Sequence, residues 1–167
     1  RFLFVGRFNQ VKGIDNLLKA WELLGESKKD WELHLIGNGK LKIKKKQSQR
    51  IYVKKFLKSE DLLKESKYAG CFILPSTYEP WGVVVHEFAA AGLPLITSNV
   101  VGAANTFLIN GLNGYKFRCN STKDLLKCLK KIISKNESQL LEMGRISSLL
   151  ARKITPFTSA KNLISIL

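Results

Sequence analysis

Two carboxylates, Glu79 and Glu87, lie in residues 68–115, a stretch with no Lys or Arg in a chain that carries 28 of them. Glu79 lies in the Pro- and Gly-containing loop 75–82, which follows an apolar run, and Glu87 lies just inside the helix-like segment 83–91. Carboxylates with no cation nearby in sequence, close to the free amides of a helix start, are typical of residues that bind or process a ligand. The alternative is a pair of surface carboxylates, one of which is favoured at a helix N-terminus.

A second set of candidate residues follows the first two apolar runs. Gly6 and Arg7 end the first run, and Lys12 precedes the first helix-like segment. Two cations at a strand-to-helix turn can hold a phosphate beside free helix amides; the alternative is an ordinary turn with a solvated Lys. The segment Gly37-Asn38-Gly39 resembles the start of a dinucleotide fingerprint, but the third glycine and the Walker spacing are missing. Neither a dehydrogenase nor a P-loop enzyme is indicated.

Metal and histidine chemistry is not indicated by the spacing of the residues that would perform it. The four aspartates are far apart in sequence and offer no paired site for Mg²⁺ or Mn²⁺. A bound diphosphate would therefore have to be neutralised by Arg, Lys and helix amides. His34 lies in a predicted strand and is expected to be a packed core residue. His86 adjoins Glu87, but neighbours in a helix point about 100° apart.

The composition describes one globular domain with an uneven charge. Residues 40–67 and 116–167 each carry 11 basic and 3 acidic residues, and the whole chain has a net charge of +15. These basic blocks fit an anionic membrane surface, a polyanionic substrate or simply a solvated Lys-rich face. Aromatic residues are not interleaved with the lysines, so nucleic acid is not an expected partner. Three cysteines without metal or redox spacing indicate buried thiols and a reducing compartment.

Apolar strand-like runs and amphipathic helix-like segments alternate along the chain, which predicts an α/β fold with a Rossmann-like parallel sheet flanked by helices. Ser59 is expected to cap the second helix, and Ser121 or Thr122 a later one. We expect ligands at the carboxyl ends of the strands, where the turns after the strands lie. The predicted strands are 2–5, 31–36, 51–53, 69–74, 93–97 and 115–117, and helical segments include 83–91, 138–153 and 157–167.

Taken together, these segments resemble the C-terminal, nucleotide-binding domain of a retaining glycosyltransferase of the GT-B fold, family 4 (glycosyl transferases group 1). The combination is specific, although each motif alone is weak. The motifs occur in the family's order over about residues 2–135: 4–8, 12–13, 17–18, 33–39, 74–76, the E-x7-E motif 79–87, 89–94 and 110–114.

The resemblance implies that Arg7 and Lys12 hold the diphosphate of the donor and stabilise the charge that develops on the leaving group. The amides of Val83 and Val84 would bind the same phosphates. Gly6, Gly37 and Asn38 would belong to the same donor site.

The resemblance also divides the two carboxylates between parts of the donor. Glu87 would accept hydrogen bonds from the ribose diol, and Glu79 would reach the sugar beside its anomeric carbon. Trp81 and Gly82 would let the backbone approach that sugar closely. Glu79, Arg7 and Lys12 are therefore the expected catalytic residues. Segment 102–106 departs from the family pattern, because it lacks the usual acid.

The function implied is transfer of a sugar from a nucleotide-diphosphate sugar, expected to be UDP-linked, without metal or cofactor. The acceptor would be a glycan or a lipid-linked sugar, as in the synthesis of lipopolysaccharide or capsule. It would bind an N-terminal domain that this chain lacks, and residues 157–167 resemble the closing helix that packs on that domain. The enzyme would be cytoplasmic or peripheral at the inner face of the plasma membrane. Alternatives are a non-catalytic nucleotide-binding module and a sugar phosphorylase of the GT-B fold.

Overall fold

The computed structural model describes residues 1–28, 30–43, 50–155, 157, 158 and 164. These residues form one six-stranded sheet in which every paired strand runs parallel, with the order β3-β2-β1-β4-β5-β6. The predicted Rossmann-like architecture is confirmed. The strands are β1 Phe2–Val5, β2 Leu33–Ile36, β3 Ile51–Lys54, β4 Cys71–Leu74, β5 Leu95–Ser98 and β6 Gly114–Phe117.

Helices cover both faces of the sheet because its strands are apolar on both sides, as β2 and β4 show by being buried at every position. On one face the edge of Trp21 meets Phe2 at 5.9 Å between ring centroids, and on the other Phe88 stacks on Phe72 at 4.4 Å. The helices are α1 Ile14–Leu23, α2 Ser59–Ser66, α3 Val83–Ala90, α4 Ala104–Phe107, α5 Thr122–Ile133 and α6 Glu137–Ala151, with 3₁₀ turns at Gln10–Lys12 and Gly25–Lys28.

The strand order reverses between β1 and β4, which are neighbours in the sheet although β2 and β3 separate them in sequence. In parallel α/β sheets, ligands bind in the crevice beyond the carboxyl ends of the strands at such a reversal. The turns that follow β1 and β4 contain Arg7, Lys12 and Glu79. The fold therefore gathers three of the predicted site residues at this crevice.

Several predicted boundaries and caps differ from the structure. Lys58, not Ser59, precedes α2 as its cap, with no side-chain hydrogen bond, and β2 begins at Leu33 rather than Trp31. Ser121 is confirmed as the cap of α5, because its hydroxyl accepts from the Asp124 amide at 3.2 Å. The basic residues 44–46 and most of the predicted closing helix 157–167 lie outside the described residues. Within the described ranges, no helix has the length and apolar composition that a membrane span requires.

The cysteines and histidines are mostly packing residues. Burial raises the pKa of the Cys128 thiol to about 11 and holds the pKa of Cys71 well above its usual value, whereas Cys119 is partly exposed, contrary to expectation. His34 is buried as predicted. It lies 2.9 Å from a Glu32 carboxylate oxygen, and burial is the main cause that lowers its pKa.

Asn113 is a fully buried amide that fastens the connection between α4 and β6. Its side chain accepts from the Ile109 amide at 2.7 Å, and it donates at 2.9 Å to the Phe107 carbonyl and to the Ser147 hydroxyl of α6. Three hydrogen bonds satisfy most of what this amide can make. Asn113 thus joins three elements through one buried side chain.

We expect Asn113→Ala to lower the free energy of unfolding by about 2–4 kcal/mol, because it leaves buried backbone partners of Asn113 unpaired. Ser147→Ala is the matched control: it removes the hydroxyl partner only and should cost about 1 kcal/mol. Urea unfolding followed by circular dichroism measures both. Equal effects of the two variants would contradict this role for Asn113.

Candidate functional site

The turn after β1 packs against the turn after β2. The Gly6 amide donates to the Ile36 carbonyl at 3.0 Å, and the Phe8 amide donates to the Asn38 carbonyl at 2.8 Å. A Cβ atom at Gly37 would lie 1.9 Å from the Gly6 carbonyl oxygen, so only glycine permits this approach. The two turns open a cavity of about 270 Å³, lined by Val5, Gly6, Arg7, Ile36, Gly37, Asn38, Phe56 and Leu57. Four predicted donor residues, Gly6, Arg7, Gly37 and Asn38, therefore share one cavity.

Lys12 is placed by a 3₁₀ turn that docks on the loop after β4. The Lys12 amide donates to the Asn9 side chain at 3.2 Å, and Gly13 follows in the left-handed region with φ of 65°. A Cβ atom on Gly13 would lie 2.0 Å from the Pro75 carbonyl oxygen. The Thr77 amide donates to the Val11 carbonyl at 2.7 Å and joins the same two segments.

Lys12 and Glu79, which are 67 positions apart, form an ion pair between the Lys12 ammonium and Glu79 Oε2. Both side chains are largely shielded from solvent, with 18% and 13% of their surfaces exposed. The buried Ser76 hydroxyl donates to the same Oε2 at 3.2 Å. Oε1 has no protein partner in the described part of the chain. Ser76 belongs to the motif 74–76, but its contact with Glu79 was not predicted, since its only signal in the sequence is a serine between β4 and Glu79.

The loop that carries Glu79 is held by the segment after β5. The Gly102 amide donates to the Glu79 carbonyl at 3.1 Å, and the Ala103 amide donates to the Trp81 carbonyl at 2.8 Å. A Cβ atom on Gly102 would lie 2.0 Å from the Pro80 carbonyl oxygen. The segment 102–106, which lacks the acid usual in the family, therefore supports the Glu79 loop through its backbone.

Helix α3 begins at this loop, directly after Gly82, which lies beside the Glu79 side chain. Gly82 caps the helix in the left-handed region, with φ of 92°, and a Cβ atom there would lie 3.1 Å from Glu79 Cγ. As the first residues of the helix, Val83 and Val84 have no carbonyl one turn earlier to receive their amides. Val83 is exposed, so this end of the helix is open to a ligand.

Glu87 lies further along α3 and does not join the Lys12–Glu79 pair. Its exposed carboxylate borders a groove of about 240 Å³ between α2 and α3, whose other lining residues are Ser59, Leu62, Leu63, Ser66, Phe88 and Ala91. Its neighbour His86 points away, stacks on Phe107 at 4.3 Å, and lies 3.0 Å from the Ala151 carbonyl. The two conspicuous carboxylates therefore have different surroundings: Glu79 contacts Lys12 and Ser76, whereas Glu87 borders the groove between α2 and α3.

A site of this kind can bind an anion of extended shape. It offers an anion the cation of Lys12 and the free amides at the start of α3, while the guanidinium-bearing Arg7 lines the cavity between the turns after β1 and β2. Trp81, within the same loop, is 45% exposed, and its ring is edge-on to Phe107. Among the described residues no group of three His, Cys, Asp or Glu side chains is close enough to share a metal ion.

The parallel sheet, its reversal point and the E-x7-E loop define a Rossmann-like domain of the GT-B type. The sequence profile of glycosyl transferases group 1 matches residues 1–145, and the chain belongs to this family.

One relative, an uncharacterized glycosyltransferase of Haemophilus influenzae, is 27% identical over 154 residues, which cover 89% of this chain and 43% of that protein. The crystal structure of TarM superposes with a TM-score of 0.83 at 18% identity, over 98% of this chain and 34% of TarM. The pneumococcal O-GlcNAc transferase GtfA, solved with UDP and GlcNAc, gives a TM-score of 0.80 at 19% identity, over 99% and 34% of the two chains. The chain thus spans less than half the length of these proteins.

The approach of Gly13 to the Pro75 carbonyl predicts a large cost for adding a methyl group. We expect Gly13→Ala to lower the free energy of unfolding by about 3 kcal/mol or more, from left-handed strain and a backbone clash together. Gly25 is the matched control, since it is also left-handed, with φ of 53°, but a Cβ there would meet nothing within 4 Å. Gly25→Ala should cost about 1–2 kcal/mol. Thermal unfolding that finds similar costs at the two sites would contradict the proposed packing.

Proposed function

We propose that this chain is the donor-binding half of a retaining glycosyltransferase, which takes a sugar from a nucleoside-diphosphate sugar without the help of a metal ion. The observation that carries the proposal is the convergence of Lys12, Glu79 and the free amides of α3 at the strand-order reversal. Membership of the glycosyltransferase family supports the class of reaction. A cation, a carboxylate and a helix N-terminus at one crevice suit a substrate with a charged leaving group and a neutral sugar.

Arg7, Lys12 and the amides of Val83 and Val84 bind the diphosphate in this proposal. As the bond between the anomeric carbon and the phosphate oxygen breaks, negative charge grows on the departing oxygen. Fixed cations and amides stabilise that charge most when they are already oriented and shielded from water. Lys12 meets this requirement, because its side chain is only 18% exposed and is held by Glu79. These groups supply the neutralising charge that a divalent ion would otherwise provide.

Glu79 acts on the donor sugar. Ser76 and Lys12 occupy its Oε2, which leaves Oε1 to receive a hydroxyl of the sugar. The acceptor hydroxyl oxygen then bonds to the anomeric carbon from the face that the diphosphate leaves, and its proton passes to the departing phosphate oxygen, so the anomeric configuration is retained. Glu87, in the adjacent groove, accepts hydrogen bonds from the ribose diol.

The acceptor belongs to the rest of the protein in this proposal. The Haemophilus influenzae relative is more than twice as long as this chain, and one structural neighbour was solved with UDP and GlcNAc. We propose UDP as the carrier and a glycan or lipid-linked sugar as the acceptor, with the enzyme on the cytoplasmic side of the membrane.

We expect Glu87→Gln to weaken UDP binding to this chain about ten- to a hundredfold, because a charged partner of the ribose diol is lost. Isothermal titration calorimetry of the wild type and the variant measures this. Glu142→Gln is the matched control: it removes a carboxylate that pairs with Arg145 on the exposed side of α6 and should leave UDP affinity unchanged. Equal affinities of wild type and Glu87→Gln would remove Glu87 from the ribose site.

The same titration in EDTA tests the absence of a metal requirement. A loss of UDP binding that Mg²⁺ or Mn²⁺ restores would contradict it.

Transfer of labelled sugar by the full-length protein separates an enzyme from a non-catalytic nucleotide module. Sugar 1-phosphate formation from a glycan and inorganic phosphate would identify a phosphorylase instead.

Helix α5 supports an anionic membrane as a further partner. Its apolar face is buried, whereas Lys123, Lys127 and Lys130 are exposed along its outer side. Replacing all three by Gln should lower binding of the full-length protein to vesicles with phosphatidylserine on the order of a hundredfold at low ionic strength, and much less at high salt.

The control for the vesicle assay removes the same charge from scattered positions. Lys19, Lys67 and Lys153 are exposed and lie apart, in α1, just after α2 and just after α6. If their replacement by Gln reduces vesicle binding as strongly as the α5 variant does, the attraction is a general effect of net charge. A wild type that ignores the vesicles would leave α5 a solvated face.

A further inference from the structure

Glu79 is the proposed sugar-binding residue, yet its strongest contact in the structure is with the cation proposed for the phosphates. The Lys12 ammonium and the Ser76 hydroxyl both donate to Glu79 Oε2, and the two charged side chains are largely shielded from water. Ion pairs shielded in this way are screened less than pairs at the surface. A bound diphosphate must therefore either share Lys12 with Glu79 or take Lys12 away from it.

In both cases Glu79 disfavours binding of the diphosphate. If Lys12 turns to the phosphates, the ion pair is weakened, and if Lys12 stays, a carboxylate faces a phosphate of the same sign. Like charges in a partly desolvated site disfavour each other. Free UDP is opposed more than a UDP-sugar, because UDP carries additional negative charge on its terminal phosphate and offers no sugar hydroxyl to Oε1.

We propose that Glu79 competes with the diphosphate of the product for Lys12, and that Ser76 is the positioning residue that holds the carboxylate in place for this competition. The inference rests on the proposed function and adds to it a means of releasing the spent nucleotide. While the donor is intact, a hydroxyl of its sugar donates a hydrogen bond to Glu79 and offsets the repulsion between this carboxylate and the diphosphate. Once the sugar has left, Glu79 favours departure of the nucleoside diphosphate.

The position of Ser76 supports its part in the proposal. Ser76 is fully buried, and its carbonyl accepts from the Ser98 hydroxyl at 2.5 Å, where Ser98 is the last residue of β5. Its backbone is therefore anchored to the sheet. The Ser76 hydroxyl reaches Glu79 from a fixed point rather than from a mobile loop.

The test is calorimetric titration of this chain with UDP, with uridine and with inorganic pyrophosphate. Glu79→Gln should bind UDP and pyrophosphate about three- to tenfold more tightly than the wild type, since Lys12 is released, and uridine no differently. In a Lys12→Met background the same change should give no gain, because the cation for which Glu79 competes is gone. Glu142→Gln controls for the change of net charge and should leave all three affinities as they are.

Ser76→Ala tests the positioning role by the sign of its effect. A loosened Glu79 should raise the affinity for pyrophosphate about twofold, whereas general damage to the site would lower it. In the Glu79→Gln background Ser76→Ala should add nothing, because the two changes act through the same carboxylate. An additive effect, or weaker binding, would remove Ser76 from the proposal.

The ligands separate this inference from the proposed function. If Glu79→Gln tightens pyrophosphate but UDP binds no better than pyrophosphate, the competition stands and the nucleotide site fails. Equal or weaker binding of pyrophosphate by Glu79→Gln would overturn the competition, as would a gain that persists without Lys12. If neither the wild type nor Glu79→Gln binds pyrophosphate, the proposed competition is overturned as well.

Discussion

The close backbone approach between Gly13 and Pro75 is the constraint on which the site depends. A side chain at Gly13 would have to occupy the position of the Pro75 carbonyl oxygen, so the turn after β1 and the loop after β4 meet only because residue 13 has no Cβ. The Thr77 amide then joins Val11 across the same junction. Lys12 lies in the chain between Val11 and Gly13, which make these two contacts, and its side chain therefore reaches Glu79. The chemistry of the crevice therefore rests on one glycine in the left-handed region.

This junction also explains how two acids can occupy a stretch of sequence that has no cation. Residues 68–115 contain no Lys or Arg, but the fold brings Lys12 to Glu79 from the other side of the strand-order reversal. A shielded carboxylate without a partner would be costly, and its pairing with Lys12 offsets part of the lost hydration. Glu87 needs no such partner because it remains exposed. Glu79 therefore has no positively charged neighbour in sequence, but it has one in space, Lys12.

The strands, most helices and the loop carrying Glu79 could be predicted because each depends on local pattern: apolar runs, helical spacing and glycine-containing turns. The strand order could not be predicted, because β1 and β4 pair directly in the sheet although β2 and β3 separate them in sequence. The Ser76 contact and the support from segment 102–106 were missed for the same reason. The prediction that Ser59 caps α2 was wrong, because a serine at the first position of a helix cannot be distinguished in sequence from a serine at the cap. Cys119 was expected to be buried with the other thiols, but it follows β6 at the edge of the sheet.

The eight-residue spacing of the two acids has a physical basis in the start of α3. Gly82 begins the helix three residues after Glu79, which leaves Glu79 in the loop, while Glu87 is the fifth residue of the helix and points into the groove beside α2. The free amides of α3 lie between the two carboxylates in sequence, and the ammonium of Lys12 contacts the first of them, Glu79. A nucleotide sugar aligned with this edge would place its phosphates at the positive centre, with uncharged hydroxyl-bearing rings at either end. In the proposed donor site, carboxylates at both ends would repel a misplaced phosphate and accept hydrogen bonds from hydroxyls, so the spacing would select the register of the nucleotide sugar as well as its binding.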